Sequence, residues 1–267
     1  MNLTKILIAL DSSTGTTTLM KIAAELAHKA DAELLALYVE DIEWFEASKH
    51  SFTQQISSYT GEIIPFSEQH ITIQSKALKR LLQTTLTDIG RLMNIRYSYH
   101  EVRGVVNKEQ LDAAARVDLV VVRRAEHPVR HPYKLSRSAR ELAEQSPVPV
   151  LVWNAGSNWP QSFIGICSTP DRSSPVIDWT VSLADIMNRR AYLFWPAELD
   201  LNLDDMKSNT PLSVSFETVK KISERHHDLS PEELKYYRNE LLIISRDNLT
   251  QNPGEYLEAL TNSVLLL

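Results

Sequence analysis

Three short runs with almost no polar alternation constrain this chain most: KILIAL (Lys5–Leu10), AELLALYVE (Ala32–Glu40) and DLVVV (Asp118–Val122). A strand that is apolar at successive positions is buried on both faces, as in a parallel sheet covered by helices on either side. The segments between the runs supply those helices. TTTLMKIAAELAHKA carries Leu19, Ile22, Ala23, Leu26 and Ala27 at the spacing of one helix face. Residues 75–94 repeat the pattern with Leu78, Leu81, Leu82, Leu86, Ile89 and Met93. Residues 5–40 therefore form a β-α-β unit with parallel strands and a right-handed crossover. Further along, IRYSYHEVRG alternates as a strand, NKEQLDAAARV is a short helix, SRSARELAEQS is a helix closed by Pro147, and VPVLVW is the closing strand. Five strands with helices between them make an open α/β sheet. The stretch from Asp41 to about Ile71 follows no period. Its aromatics (Trp44, Phe45, Phe52, Tyr59, Phe66) are expected to pack on a neighbouring surface.

The second half repeats the first weakly. An offset of 157 residues places Leu7 on Ile164, Ala9 on Ile166, Leu26 on Leu183 and Leu37 on Phe194. ELLIISR echoes DLVVVRR, and the terminal NSVLLL echoes VPVLVW. With 267 residues and about 100–200 residues per domain, two domains are expected, 1–155 and a shortened 160–267. The boundary falls in the small-residue segment NAGSNWPQ.

Composition removes several functions. A net charge of −6 disfavours DNA and anionic membranes as partners. One cysteine, Cys167, admits no internal disulfide and reads as a small core residue. The N-terminal apolar run is too short for a secretory signal core, and no window approaches the ~18 apolar residues of a spanning helix. A cytoplasmic location is the expectation. The seven glycines never come closer than nine residues (Gly156 and Gly165), so neither G-x-G-x-x-G nor G-x-x-x-x-G-K occurs. G-x-S-x-G, H-E-x-x-H and a Cys–His arrangement are missing too, so no catalytic residue is assigned. His127 and His131 stand four apart, but Pro128 and Pro132 follow them and oppose a helix, so no metal site is expected. Ser230, Pro231 and Glu233 form a capping box with a structural purpose.

The opening strand with Asp11, the LDAAARVDLVVV segment and the ending PVPVLV from Pro147 resemble the universal stress protein family in its tandem form. The resemblance covers residues 1–153 and extends to 162–267 through the repeat. It implies two tandem five-stranded parallel α/β domains (Rossmann-like, adenine-nucleotide alpha-hydrolase-like), the second shortened. It further implies that the halves pair with each other through the PVLVW strand, a homodimer being the other assembly it allows, and that the protein serves stress adaptation. Nucleotide-binding members of the family carry G-x-x-G-x9-G-[ST] after the fourth strand. In this frame the four defining positions are Arg123, Glu126, Ser136 and Arg137. Backbone amides cradle a triphosphate only where no Cβ intervenes and positive φ is allowed. Each non-glycine residue forced into the left-handed region costs about 1–2 kcal/mol. The expectation is a non-catalytic protein acting through protein contacts, without ordinary ATP binding and with no cofactor.

The alternative is a nucleotide- or anion-binding module in the first domain, with weak ATPase activity as an option. By resemblance Asp11 stands near a ribose and Val39 at an adenine-side wall. Read from the residues, Asp11 is a helix cap and Val39 plain core. Arg123, Arg124, Arg130, Lys134, Arg137 and Arg140 could hold an anion by side chains, or form a solvated loop paired with Glu126, Glu141 and Glu144. The candidate nucleotide- or anion-binding residues are Ala9, Asp11, Val39, Arg123, Arg124, Ser136, Arg137 and Ser138. In the second half Ser168 takes the place of Asp11, and no nucleotide site is expected there.

Overall fold

A computed structural model of the chain describes residues 2–11, 15–50, 52–56, 60–124, 135–154, 158–167, 175–194, 216–218, 234, 237–249 and 252–267. The first half runs β1 (Lys5–Leu10), α1 (Thr16–Ala30), β2 (Glu33–Asp41), α2 (Ile42–Ser48), β3 (Gln54–Ile56), β4 (Ile63–Pro65) and α3 (Glu68–Met93). It continues with β5 (Tyr97–Gly104), α4 (Val106–Ala114), β6 (Leu119–Arg123), α5 (Arg137–Gln145) and β7 (Val150–Trp153). The second half has β8 (Ser162–Ile166), α6 (Pro175–Met187), β9 (Arg190–Phe194), β10 (Phe216–Thr218), β11 (Leu241–Ile244), α7 (Pro253–Ala259) and β12 (Ser263–Leu266). Ten of the strands form one sheet in the order β10-β9-β8-β11-β12-β7-β6-β1-β2-β5. Every pairing in it is parallel except β7 with β12, which is antiparallel. Two five-stranded parallel halves thus join edge to edge through the PVLVW strand.

Successive strand residues enter opposite cores, which is why the runs show no alternation. Ile6, Ile8 and Leu10 pack with α1, α3 and α6 on one face. Leu7, Leu37 and Val39 pack with α4, α5 and α7 on the other. The 157-residue repeat holds in the backbone of the first β-α-β unit of each half. β1 meets β2 at Lys5 and Glu33, and β8 meets β9 at Ser162 and Arg190. Asp31 and Asn188, 157 apart, both take the left-handed conformation after α1 and α6, with φ 52° and 53°. Each lets the chain reverse into the next strand, Ala32 N donating to Ala27 O at 2.9 Å and Arg189 N to Ala184 O at 2.8 Å.

The structure corrects three expectations. The segment after Asp41, which has no sequence period, forms α2 and the hairpin of β3 with β4. Its aromatics do not all pack: Phe45 is buried, but Trp44 is half exposed and Phe52 is 82% exposed. The helix expected from Ser75 starts at Glu68, where Ser67 caps it by accepting from His70 N at 3.3 Å. Those first turns are polar apart from Ile71 and Ile73, and Ile73 is 61% exposed, so periodicity could not reveal them. Leu81, placed on the apolar side from its spacing, is 63% exposed. The capping box at Ser230 lies outside the described residues.

Three carboxylates anchor strand ends and make the fold acid-sensitive. Asp118 accepts from Thr4 N and Thr4 Oγ1 at 2.7 Å and from Lys5 N at 2.9 Å, tying β1 to β6. Burial raises its pKa, but these hydrogen bonds outweigh that and leave it below the ordinary 3.8. Ser98 and Lys5 lower Glu33 against a smaller effect of burial. A group with a depressed folded pKa contributes stability above its unfolded value and loses it as pH falls through the folded one. Melting temperature is therefore expected to hold from neutrality to about pH 4.5, then fall as Glu33, Glu40 and Asp118 protonate. A series of melts from pH 7 to 3 checks this, and a flat profile to pH 3 would contradict it.

Candidate functional site

In a sheet that runs from β1 toward β2 on one side and β6 on the other, ligands enter at the carboxyl ends where the order reverses. Asp11 leaves β1 at that point. Its Oδ1 accepts from Thr16 Oγ1 at 2.6 Å, which links the end of β1 to the start of α1. Thr16 Oγ1 also reaches Asp11 O at 3.1 Å. The residue before α1 is Gly15, which offers no side-chain cap.

Arg123, at the end of β6, lies against Gly15. A Cβ added to Gly15 would stand 1.9 Å from Arg123 Cζ. The guanidinium thus lies beside the residue that precedes α1. Arg124, the next residue, is 1% exposed. Its backbone N donates to Trp153 O at 2.9 Å, and its Nη1 donates to Leu257 O at 2.7 Å, on α7 of the other half. Arg124, expected as an anion-binding candidate, is thus buried between the halves. The reason is strand geometry, which sends adjacent side chains to opposite sides.

The other candidates divide. Ser136 caps α5, accepting from Ala139 N at 3.1 Å, and meets Ser138 Oγ at 3.2 Å. Arg137 and Ser138 line a depression of about 190 Å³ with Asp41, Glu43 and Asn107. Ala9 is half-buried in the core beside α4 and α5. Glu126, His127, Arg130, His131 and Lys134 lie outside the described residues, as does Ser168. Arg140 holds Glu258 of α7 at 2.6 Å, and Glu258 also accepts from Leu135 N at 3.1 Å. Arg140, the last cation of the arginine-rich stretch, is thus paired with a residue of the second half.

Asp11, Val39 and Ser138 come together around a cavity of about 450 Å³. Its far wall is built by residues that the sequence reading missed: Glu40, Trp44, Phe45, Ile71, Ser75 and Gln110. Glu40 is 5% exposed at the end of β2. It accepts from Ser75 Oγ at 2.5 Å and Arg103 Nε at 2.6 Å, and pairs with Lys79 Nζ at 3.0 Å. Burial raises its pKa, but the bonds from Ser75, Arg103 and Lys79 together hold the carboxylate below the ordinary 4.5. Arg103 also lies over the Phe45 ring, 4.2 Å from its centroid. One signal could have found this cluster: a charged residue ending an otherwise apolar strand.

Among the described candidates for a phosphate site, Arg123 stands against Gly15, Arg124 is held by Leu257 O, and Ser136 caps α5. Among the described residues no group of three His, Cys, Asp or Glu could hold a metal ion, and no helix is long and apolar enough to cross a membrane.

Residues 2–154 match the model of the Universal stress protein family. Two solved structures share the fold along nearly the whole chain. A functionally unknown protein from Pseudomonas aeruginosa PAO1 is 13% identical, with a TM-score of 0.62 over 99% of this chain and 92% of its own. A universal stress protein from Archaeoglobus fulgidus DSM 4304 is 10% identical, with a TM-score of 0.61 over 98% of this chain and 95% of its own. Among curated proteins no sequence matches.

Proposed function

This chain belongs to the universal stress protein family, and on that premise we propose a non-catalytic stress-adaptation protein that has lost ordinary ATP binding and works through contacts with other proteins. The observation that carries the reading is the seat of Arg123 on Gly15, where a phosphate would need bare backbone. Two domains, 1–155 and 160–267, and a cytoplasmic setting belong to the same proposal. The pairing of β7 with β12 supports it, because it supplies within one chain the contact that a second copy would otherwise make.

A second reading keeps a nucleotide- or anion-binding module in the first half. It draws on the cavity beside Asp11 and Val39. Thermal unfolding with and without Mg-ATP separates the two. A ligand at 100 times its Kd adds about 2.7 kcal/mol to the folded state. For a chain of this size that is a rise of roughly 5–10 °C. No rise is expected at millimolar Mg-ATP, and a rise of that size would overturn the first reading in favour of the second.

A further inference from the structure

We propose that the free edge of β5 takes up an extended segment of a partner protein as an eleventh strand, and that α4 selects a segment with a lysine or arginine two places from an apolar residue. The inference rests on the reading that this protein works through protein contacts. Its first support is the backbone. β5 ends the sheet and pairs on one side only, with β2. Leu34 N donates to Arg96 O at 2.9 Å, and the parallel register then runs unbroken from Leu34 with Tyr97 to Asp41 with Gly104. In such a ladder alternate residues bond the neighbour. Ser98, His100 and Val102 therefore face β2, while Tyr97, Tyr99, Glu101 and Arg103 turn their N–H and C=O groups to the open side.

Exposed edges are commonly blunted by proline, by a bulge or by charge laid across them. β5 has neither proline nor bulge, and none of its residues is buried. Its charges are drawn inward instead. Glu101 accepts from Lys79 Nζ at 2.5 Å, and Arg103 donates to Glu40 at 2.6 Å and lies over the Phe45 ring.

The side chains beside the edge set the partner. A strand added there sends every second side chain to the α4 side, at intervals of about 7 Å. On that side Leu37, Val102 and Ala113 line a groove of about 450 Å³, with Glu109 and Asp112 of α4 along it and Arg116 beyond the helix end. Glu109 lies over the end of β5, since a Cβ on Gly104 would stand 2.6 Å from its Oε1. Among the described residues neither Glu109 nor Asp112 has an ion-pair partner. An apolar residue over Val102 thus brings its neighbour on the same face against two carboxylates, where a cation is favoured. The β5 strand of a second copy has only Ser98, His100, Val102 and Gly104 to offer this face, and no lysine or arginine.

The test uses the full chain and a fluorescein-labelled octapeptide of alternating threonine and valine with lysine in the sixth place. Anisotropy at low salt should give a Kd of about 10–100 µM, and the peptide with glutamate in that place should bind at least ~10-fold more weakly. N-methylation of one alternate set of peptide amides should abolish binding and of the other set should leave it, a difference that charge attraction alone does not make. Asp112→Lys, at an exposed helix position, should weaken the lysine peptide about tenfold and strengthen the glutamate peptide. Glu101→Pro removes an N–H that the sheet does not use and should abolish binding with the far-ultraviolet dichroism retained. The methylated peptides and Asp112→Lys decide the matter if Glu101→Pro does not fold. The proposal is overturned by a lysine peptide that does not bind, by equal binding of the glutamate peptide, by methylated isomers that bind alike, or by a dimer in sedimentation that the peptide does not open. Failure of the peptide without a thermal response to Mg-ATP sinks this inference alone, whereas the rise with Mg-ATP described above sinks the protein-contact reading whatever the peptide does.

Discussion

Arg124→Ala is expected to lower the unfolding free energy by about 2–4 kcal/mol, since a charged hydrogen bond is lost and a buried carbonyl is left unsatisfied. The melting temperature should drop by roughly 5–15 °C. The residue is one member of a reciprocal pair. Arg124 follows β6 and binds Leu257 O on the last helix of the second half at 2.7 Å. Arg246 follows β11 at the corresponding place and binds Ser146 O at 2.6 Å and Val148 O at 3.1 Å, just beyond the last helix of the first half. Their backbones match as well, Arg124 N donating to Trp153 O at 2.9 Å and Arg246 N to Leu267 O at 3.0 Å. Each guanidinium thus serves carbonyls at the C-terminal end of the other half's helix, where a cation is favoured. Arg246→Ala should cost a similar amount. Lysine at either position should recover less than half, because it lacks the planar fork. Chemical denaturation measures both, and a loss below about 1 kcal/mol for each would show that the pair does not clasp the halves.

The largest effect is expected from Leu151→Asp. Leu151 is 1% exposed and sits opposite Leu265, also 1% exposed, where β7 meets β12. The substitution removes about 1.5–3 kcal/mol of burial and adds the cost of a buried polar group without a partner. A total above ~4 kcal/mol follows, enough to unfold a marginal domain. Leu81→Asp is the control. Leu81 is also a leucine of an expected apolar face, yet it is 63% exposed, so its replacement should stay within about 0.5 kcal/mol. Equal melting temperatures for the two variants would place the joint between the halves elsewhere.

The strands were legible because the same residues that form them must fill two cores at once. Ile6, Leu7 and Ile8 leave no room for a polar face, and the repeat at 157 residues carried that logic into β8, α6 and β9. The pairing partner of β7 followed from the family's way of assembling and agrees with the register found. The site was less legible. Asp11 and Val39 were picked out by position and do share a cavity. Arg123 and Arg124 look equivalent in sequence, but a strand sends one over Gly15 and the other between the halves. Glu40 carries no motif. Its importance arises from what folds against it, Ser75 and Lys79 from α3 and Arg103 from β5. The α2 and hairpin region escaped notice because Trp44 and Phe52 remain largely in solvent and impose no spacing.

Because β7 and β12 are stretches of one polypeptide, their union cannot be undone by dilution. Two separate copies would have to keep matching faces, and any change would strike both at once. A tethered pair is released from that symmetry. One lobe can change while the other retains a hollow, and the seam between them survives so long as each arginine still finds the opposite helix end. Melting should accordingly be independent of protein concentration.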